Sequence, residues 1–185
     1  VGVFYALDRV NGEIIWRTDV YRGFWNPPFL FPTAAVVNSE HTLFCFDRET
    51  GKLRWSFDFE GKCDTDVTGC QDLAIFTTNE KLSDDDLQGR VYAINCETGD
   101  VRWVRQFPGE ASAPMAWNAS VIFALKNSAV RALFAATGAD QWSTELTGEL
   151  GSAPVSDGER VYLVSSGGYA AALHCGTGRE VWRLP

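Results

Sequence analysis

Residues 5–16 read Tyr5-Ala6-Leu7-Asp8-Arg9-Val10-Asn11-Gly12-Glu13-Ile14-Ile15-Trp16, and residues 44–55 read Phe44-Cys45-Phe46-Asp47-Arg48-Glu49-Thr50-Gly51-Lys52-Leu53-Arg54-Trp55. The same phrase returns as Tyr92-Ala93-Ile94-Asn95-Cys96-Glu97-Thr98-Gly99-Asp100-Val101-Arg102-Trp103, then around Thr137-Gly138 with Trp142, and again around Thr177-Gly178 with Trp182. In all five copies Trp follows Gly by four positions: Gly12, Gly51, Gly99, Gly138 and Gly178 precede Trp16, Trp55, Trp103, Trp142 and Trp182. An apolar run, a polar pair, a Gly able to take positive φ and a second run carrying Trp make a β-hairpin. Asp8 and Asp47 are placed to cap the turn through their side chains. Asn95, Phe134 and His174 stand at that place in the later copies, so the cap is replaced or dispensed with there.

Working outward, the Trp-to-Trp spacings are 39, 48, 39 and 40 residues. A period of about 40 is that of one four-stranded propeller blade. The long interval contains the acidic stretch Lys81-Leu82-Ser83-Asp84-Asp85-Asp86-Leu87-Gln88-Gly89, read as an insertion in a loop between strands. Upstream of the hairpins, Ser112-Ala113-Pro114 recurs as Ser152-Ala153-Pro154, each followed by a β-rich run, Val121–Leu125 and Val161–Val164, which supply a blade's inner two strands. The expected fold is all-β: a β-propeller of four-stranded antiparallel blades, about four and a half of them; either the missing blades lie in further sequence, which is the preferred reading, or another chain completes the ring, or five units close with the first blade lacking its inner strands. Residues 1–19 make an outer half-blade, followed by blades over 20–58, 59–106 (with its insertion at 81–89), 107–145 and 146–185. The recurring Trp is a docking residue, because a blade cannot cover its own faces and one indole covers up to about 250 Å².

Composition agrees and excludes several functions. The chain is 45% hydrophobic and 13% aromatic, with seven Trp, 17 Gly and one Met, which suits sheets joined by tight turns. A net charge of −8 with no basic cluster argues against nucleic acid as a partner, since phosphate binding depends on clustered Lys and Arg. No apolar run approaches the about 20 residues of a membrane span. The opening Val1-Gly2-Val3-Phe4-Tyr5 reads as the inside of a strand, so the sequence reads as a piece of a longer product.

The pattern from Phe4 to Trp16, apolar-Tyr-Ala-Leu-Asp-x-x-x-Gly-x-x-x-Trp, resembles the tryptophan-docking motif of the pyrroloquinoline-quinone repeat family, and the resemblance covers nearly the whole chain. That family contains eight-bladed quinoprotein alcohol and glucose dehydrogenases. It also contains catalytically silent members such as the lipoprotein scaffold of bacterial outer-membrane assembly, so the motif implies a fold and not an activity. In the dehydrogenases the resemblance implies a quinone and a calcium or lanthanide ion near the axis, held by Glu, Asn and Asp, with a Trp floor and often a disulfide between adjacent cysteines. This sequence has no adjacent cysteines, and no ligand set carries over residue by residue. The expected function is therefore a non-catalytic interaction or ligand-binding module, with no cofactor, partnered by a protein or by the remaining blades. The alternative is part of a quinone-dependent alcohol or sugar dehydrogenase using pyrroloquinoline quinone with calcium.

Outside the repeat, few residues invite a function. Asp84, Asp85 and Asp86 are the densest charge cluster and offer oxygen ligands to a cation such as calcium, but their spacing is not that of an EF-hand loop and a solvated insertion is the preferred reading. Trp25 and Trp117 fall outside the docking register, and each is followed by Asn; they are candidates for a ligand floor or partner anchor, against ordinary packing. His41 and His174 lie on different blades with no Ser or Cys partner pattern, which makes a nucleophilic triad hard to build. Of the five cysteines only Cys63 and Cys70 are close in sequence, so they are the candidate disulfide, the alternative being buried strand thiols.

Overall fold

The computed structural model describes residues 2–20, 23–24, 26–83, 86–150 and 152–185, and every regular element among them is a β-strand. Strands β1 (Gly2–Leu7) and β2 (Ile14–Val20) pair as a hairpin. Four four-stranded antiparallel sheets follow, each in simple chain order. They are β3 (Phe29–Leu30), β4 (Ala34–Asn38), β5 (Thr42–Asp47) and β6 (Leu53–Asp58); then β7 (Thr68–Cys70), β8 (Leu73–Lys81), β9 (Leu87–Asn95) and β10 (Val101–Pro108). Next come β11 (Met115–Trp117), β12 (Ser120–Ala124), β13 (Ala129–Phe134) and β14 (Asp140–Glu145), and finally β15 (Val155–Ser156), β16 (Arg160–Ser165), β17 (Tyr169–His174) and β18 (Glu180–Leu184). The chain is thus a half-blade, blade 1, followed by whole blades 2 to 5, forming an open arc of a propeller rather than a closed ring.

Burial explains the strand sequences. Strands β4 (AAVVN) and β12 (SVIFA) are buried at every residue, because a second strand is covered on both faces by neighbouring blades and needs a continuous apolar run. The fourth strands β6 and β10 are mostly exposed, with half-buried residues at every second position, as expected where one face is solvated. The core is divided among the blade interfaces. One cluster, with Phe44 and Phe46 against Phe4 and Phe24, joins blades 1 and 2; another, with Phe59, Phe76 and Tyr92, joins blades 2 and 3. Phe107, Val121 and Phe123 join blades 3 and 4, and Ile122, Leu163 and Leu173 join blades 4 and 5.

The docking register is visible atom by atom. The Trp16 Nε1–H donates to the Arg48 carbonyl at 2.9 Å, Trp55 to Cys96 at 2.9 Å, Trp103 to Ala135 at 2.7 Å and Trp142 to Cys175 at 2.8 Å. Each acceptor stands three residues before the turn Gly of the next blade, and each ring lies against that Gly. A Cβ added at Gly51, Gly99, Gly138 or Gly178 would come within 2.4 to 2.9 Å of the preceding blade's indole. A recurrent bulge aims the ring. In every blade the residue before Trp is the extra one in the register, as in Cys45↔Trp55 followed by Phe46↔Leu53, which leaves Arg54 unpaired.

Two expectations need correction. Residues 87–89 are not loop: the insertion lengthens a hairpin, so β8 and β9 run nine residues each, paired out to Lys81↔Leu87, and the turn begins at Leu82. Cys63 and Cys70 are not a disulfide but free buried thiols. Cys63 lies in the connection before β7 and Cys70 ends that strand, and they belong to different clusters, Cys63 to that between blades 2 and 3 and Cys70 to that between blades 3 and 4.

Candidate functional site

Up-and-down blades put two kinds of connection at each end of the arc. The turns between first and second and between third and fourth strands share one end with the docking glycines. At the other end lie the turns between second and third strands and the connections from one blade to the next. One cleft of about 280 Å³ lies at the docking-glycine end, between Asn95, Thr98, Asp100, Val101 and Arg102, and three lie at the second end. A cleft of about 280 Å³ is lined by Asp64, Asn79, Glu110, Ala111, Ser112, Lys126 and Leu150. A broader one of about 420 Å³ adds Asp86, Asn127 and Glu149 around the same Glu110 and Lys126. A third, of about 240 Å³, lies toward blade 2 between Asn26, Glu40, Lys62, Cys63 and Asp64.

Buried and half-buried hydrogen bonds hold these connections in place. Asn79, at the end of β8, clamps Ala111 at two points: its Nδ2 donates to the Ala111 carbonyl at 3.0 Å, and its Oδ1 accepts from the Ala111 N–H at 2.8 Å. The Thr77 hydroxyl donates to the Ser112 carbonyl at 3.0 Å. Asn38 makes the matching contact one blade earlier, its Nδ2 donating to the Thr65 carbonyl at 3.2 Å and lying 3.0 Å from the Cys63 sulfur. Asn26 donates to the same Thr65 carbonyl at 3.0 Å. The loops lining the clefts are therefore tied to the second strands of the blade before.

The electrostatics of this end are one-sided. Among its described lining residues Glu40, Asp64, Asp86, Glu110 and Glu149 face only two cations, Lys62 and Lys126. Lys126 pairs with Glu110 at 3.1 Å, and this hydrogen bond, with the charges of Glu110 and Glu149, pushes its ammonium above the usual value. Lys62 reaches Glu40 at 3.6 Å.

The residues singled out from sequence fall in different places. The docking residues Trp16, Trp55, Trp103 and Trp142 are brought onto the glycines of their neighbours, whereas the Trp182 ring meets Tyr162 of its own blade at 5.9 Å and Gly12 has nothing within 4 Å of where a Cβ would stand. Trp117 ends β11, packs with the cluster joining blades 4 and 5, and donates its Nε1–H to the Gly158 carbonyl at 2.7 Å. Cys70 makes the equivalent contact one blade earlier, to the Asn118 carbonyl at 3.4 Å. Trp117 thus does at the inner strand what the docking Trp does at the outer. Trp25, Asp84 and Asp85 lie outside the described residues; Asp86 lines the broad cleft. His41 contacts the Gly61 carbonyl through Nδ1 at 2.7 Å, and His174 accepts from the Gly176 N–H at 3.1 Å, so the two histidines serve separate turns. The clamp at Asn79 was missed from sequence, because Asn79 stands in the polar stretch Thr77-Thr78-Asn79-Glu80-Lys81 that follows the apolar run of β8 and carries no local signal of its partner.

Among the described residues no three His, Cys, Asp or Glu side chains converge to hold a metal ion.

Fold and docking register together define a quinoprotein-type β-propeller. The family model described as outer membrane protein assembly factor BamB matches residues 1–131 and again 88–185, and the chain belongs to that family. No curated protein matches the sequence significantly. Among solved structures, BamB from Moraxella catarrhalis is 15% identical with a TM-score of 0.54, over 100% of this chain and 70% of that one. A europium-containing methanol dehydrogenase is 12% identical with a TM-score of 0.78, over 99% of this chain and 47% of its own length. A quinohemoprotein alcohol dehydrogenase from Comamonas testosteroni is 15% identical with a TM-score of 0.74, over 98% and 40%. The chain spans less than half of either dehydrogenase.

Proposed function

We propose that this chain is a non-catalytic interaction module whose acidic connection end receives a basic surface of a protein partner. The observation that carries the reading is the row of three clefts on rigidly tied loops, with five carboxylates facing two ammonium groups. Charge of one sign around preformed concavities steers an oppositely charged partner and sets its orientation. Membership of a family described by an assembly factor supports the same reading. The test is site-specific photo-crosslinking in the source cells from position 110, with position 100 at the opposite end as control. The expected result is one partner crosslinked from position 110 alone, its association slowed by Glu110→Lys with Glu149→Lys and by added salt. Equal crosslinking from both positions, or no effect of charge reversal, would sink the proposal.

A second reading, part of a quinone-dependent dehydrogenase, is favoured by the higher TM-scores to the two dehydrogenases. It is separated by titrating the metal-free protein with pyrroloquinoline quinone and calcium while following Trp fluorescence. The interaction module gives no calcium-dependent quenching; tight, calcium-dependent quenching would make the dehydrogenase reading the better one.

A further inference from the structure

The repeat places two residues opposite each other at every blade interface. One is the third-strand residue paired across from the docking Trp: Ala6, Cys45, Ala93, Ala132 and Ala172. The other is the residue of the next blade whose carbonyl receives the indole: Arg48, Cys96, Ala135 and Cys175. Ala6 therefore faces Arg48, Ala93 faces Ala135 and Ala132 faces Cys175. Only between blades 2 and 3 do two cysteines meet. The Cys45 Sγ lies 3.6 Å from the Cys96 carbonyl oxygen, the same atom that receives the Trp55 indole at 2.9 Å. Both side chains belong to the cluster that joins these blades, Cys45 fully buried and Cys96 4% exposed.

We propose that Cys45 and Cys96 are a disulfide-forming pair that staples blade 2 to blade 3 when the chain folds in the presence of a disulfide oxidant. In the step, both thiols lose a proton, the two sulfurs bond, and the two electrons reduce a small-molecule disulfide to two thiols. In the folded chain a hydrogen bond with Cys45 holds the Cys96 thiol below its ordinary value, aided by the Arg54 charge. The same contact, with burial, pushes the Cys45 thiol up. Exchange with the oxidant leaves a mixed disulfide on one of the two sulfurs, which the other resolves as the interface closes over them. The bridge closes a loop between residues 51 apart, constraining the unfolded chain across one whole interface.

The pair is tested by refolding the protein in a glutathione redox buffer, alkylating the remaining thiols after denaturation, and mapping peptides by mass spectrometry without reduction. The expected product links Cys45 to Cys96, with Cys63, Cys70 and Cys175 alkylated and a higher thermal midpoint that falls back on reduction. Cys45→Ala removes both the linked peptide and the shift, while Cys63→Ala keeps them. Cys45→Ala carries little folding risk, because Ala occupies that place in the other four blades. Five alkylated cysteines after oxidation, or a bridge formed equally often between other pairs, would overturn the proposal.

Discussion

At Gly138 a backbone φ of +70° coincides with the Trp103 ring, 2.7 Å from where a Cβ would stand. At Gly12 a φ of +74° occurs with open space around it. The two substitutions Gly138→Ala and Gly12→Ala therefore separate strain from packing. Gly12→Ala should cost about 1–2 kcal/mol, the strain of a left-handed residue, while Gly138→Ala adds overpacking and should cost about 2–5 kcal/mol. Denaturant unfolding of both variants checks the difference. A second prediction concerns acid. The Tyr162 hydroxyl, 2.5 Å from the Asp157 carboxylate, holds it down to about 2, with the N–H groups of Arg160 and Glu159 adding to the effect. A carboxylate held below its unfolded value adds stability that is present above about pH 4 and lost as the pH falls through 2. Stability measured against pH should accordingly fall less steeply over that window in Asp157→Asn. At this scale the Trp and Gly were legible because they recur, and so was the drift of the turn cap. Asn95 accepts the Glu97 and Thr98 N–H groups as Asp47 accepts those of Glu49 and Thr50. His174 accepts that of Gly176, whereas the Phe134 turn has no cap at that place and closes on backbone bonds and the Thr137 hydroxyl, which accepts the Ala139 N–H at 3.3 Å.

Among the elements, the extra length between Trp55 and Trp103 was legible but its form was not. An acidic stretch reads as a loop, yet Leu87–Gly89 continues β9, and the Leu87 carbonyl accepts the Gly109 N–H at 2.7 Å. The lengthened hairpin is thus fastened to the connection leaving its own blade, a contact across more than 20 residues that no local pattern encodes. The same connection is held from its other side by Asn79. Asn79→Ala should leave the buried Ala111 N–H and C=O unpaired and cost about 1–3 kcal/mol. Leu82→Ser, at an exposed position beside the turn, should stay within about 0.5 kcal/mol of the parent. Chemical denaturation of the two variants is the measurement. Equal effects would mean that the connection is not held by the clamp and that the cleft around Glu110 is less rigid than its hydrogen bonds imply.

Over the whole molecule the arc behaves as a one-dimensional stack, each blade touching only its neighbours, so the worth of one interface can be read by comparing equivalent residues. Trp103 is clasped by Gly138 and the Ala135 carbonyl, and Trp103→Ala should cost about 3–5 kcal/mol. Trp182 occupies the same register at the far face of blade 5, with the exposed Val181 and Leu184 beside it. In this chain Trp182→Ala should cost only about 1 kcal/mol, as at a surface position. The pairing rule was legible from five repeats, but which faces are clasped depends on what stands next to them, and a single chain's sequence does not carry that. The contrast extends to any longer product or assembly in which another blade docks on blade 5. There the Trp182 ring would gain a turn glycine and a carbonyl acceptor, and Trp182→Ala should become as costly as Trp103→Ala. Thermal unfolding of both variants, in this chain and in the longer form, decides it. If Trp182→Ala stays cheap while a blade is joined to that face, then docking at that joint does not use the indole, and the repeat rule fails at its first extension.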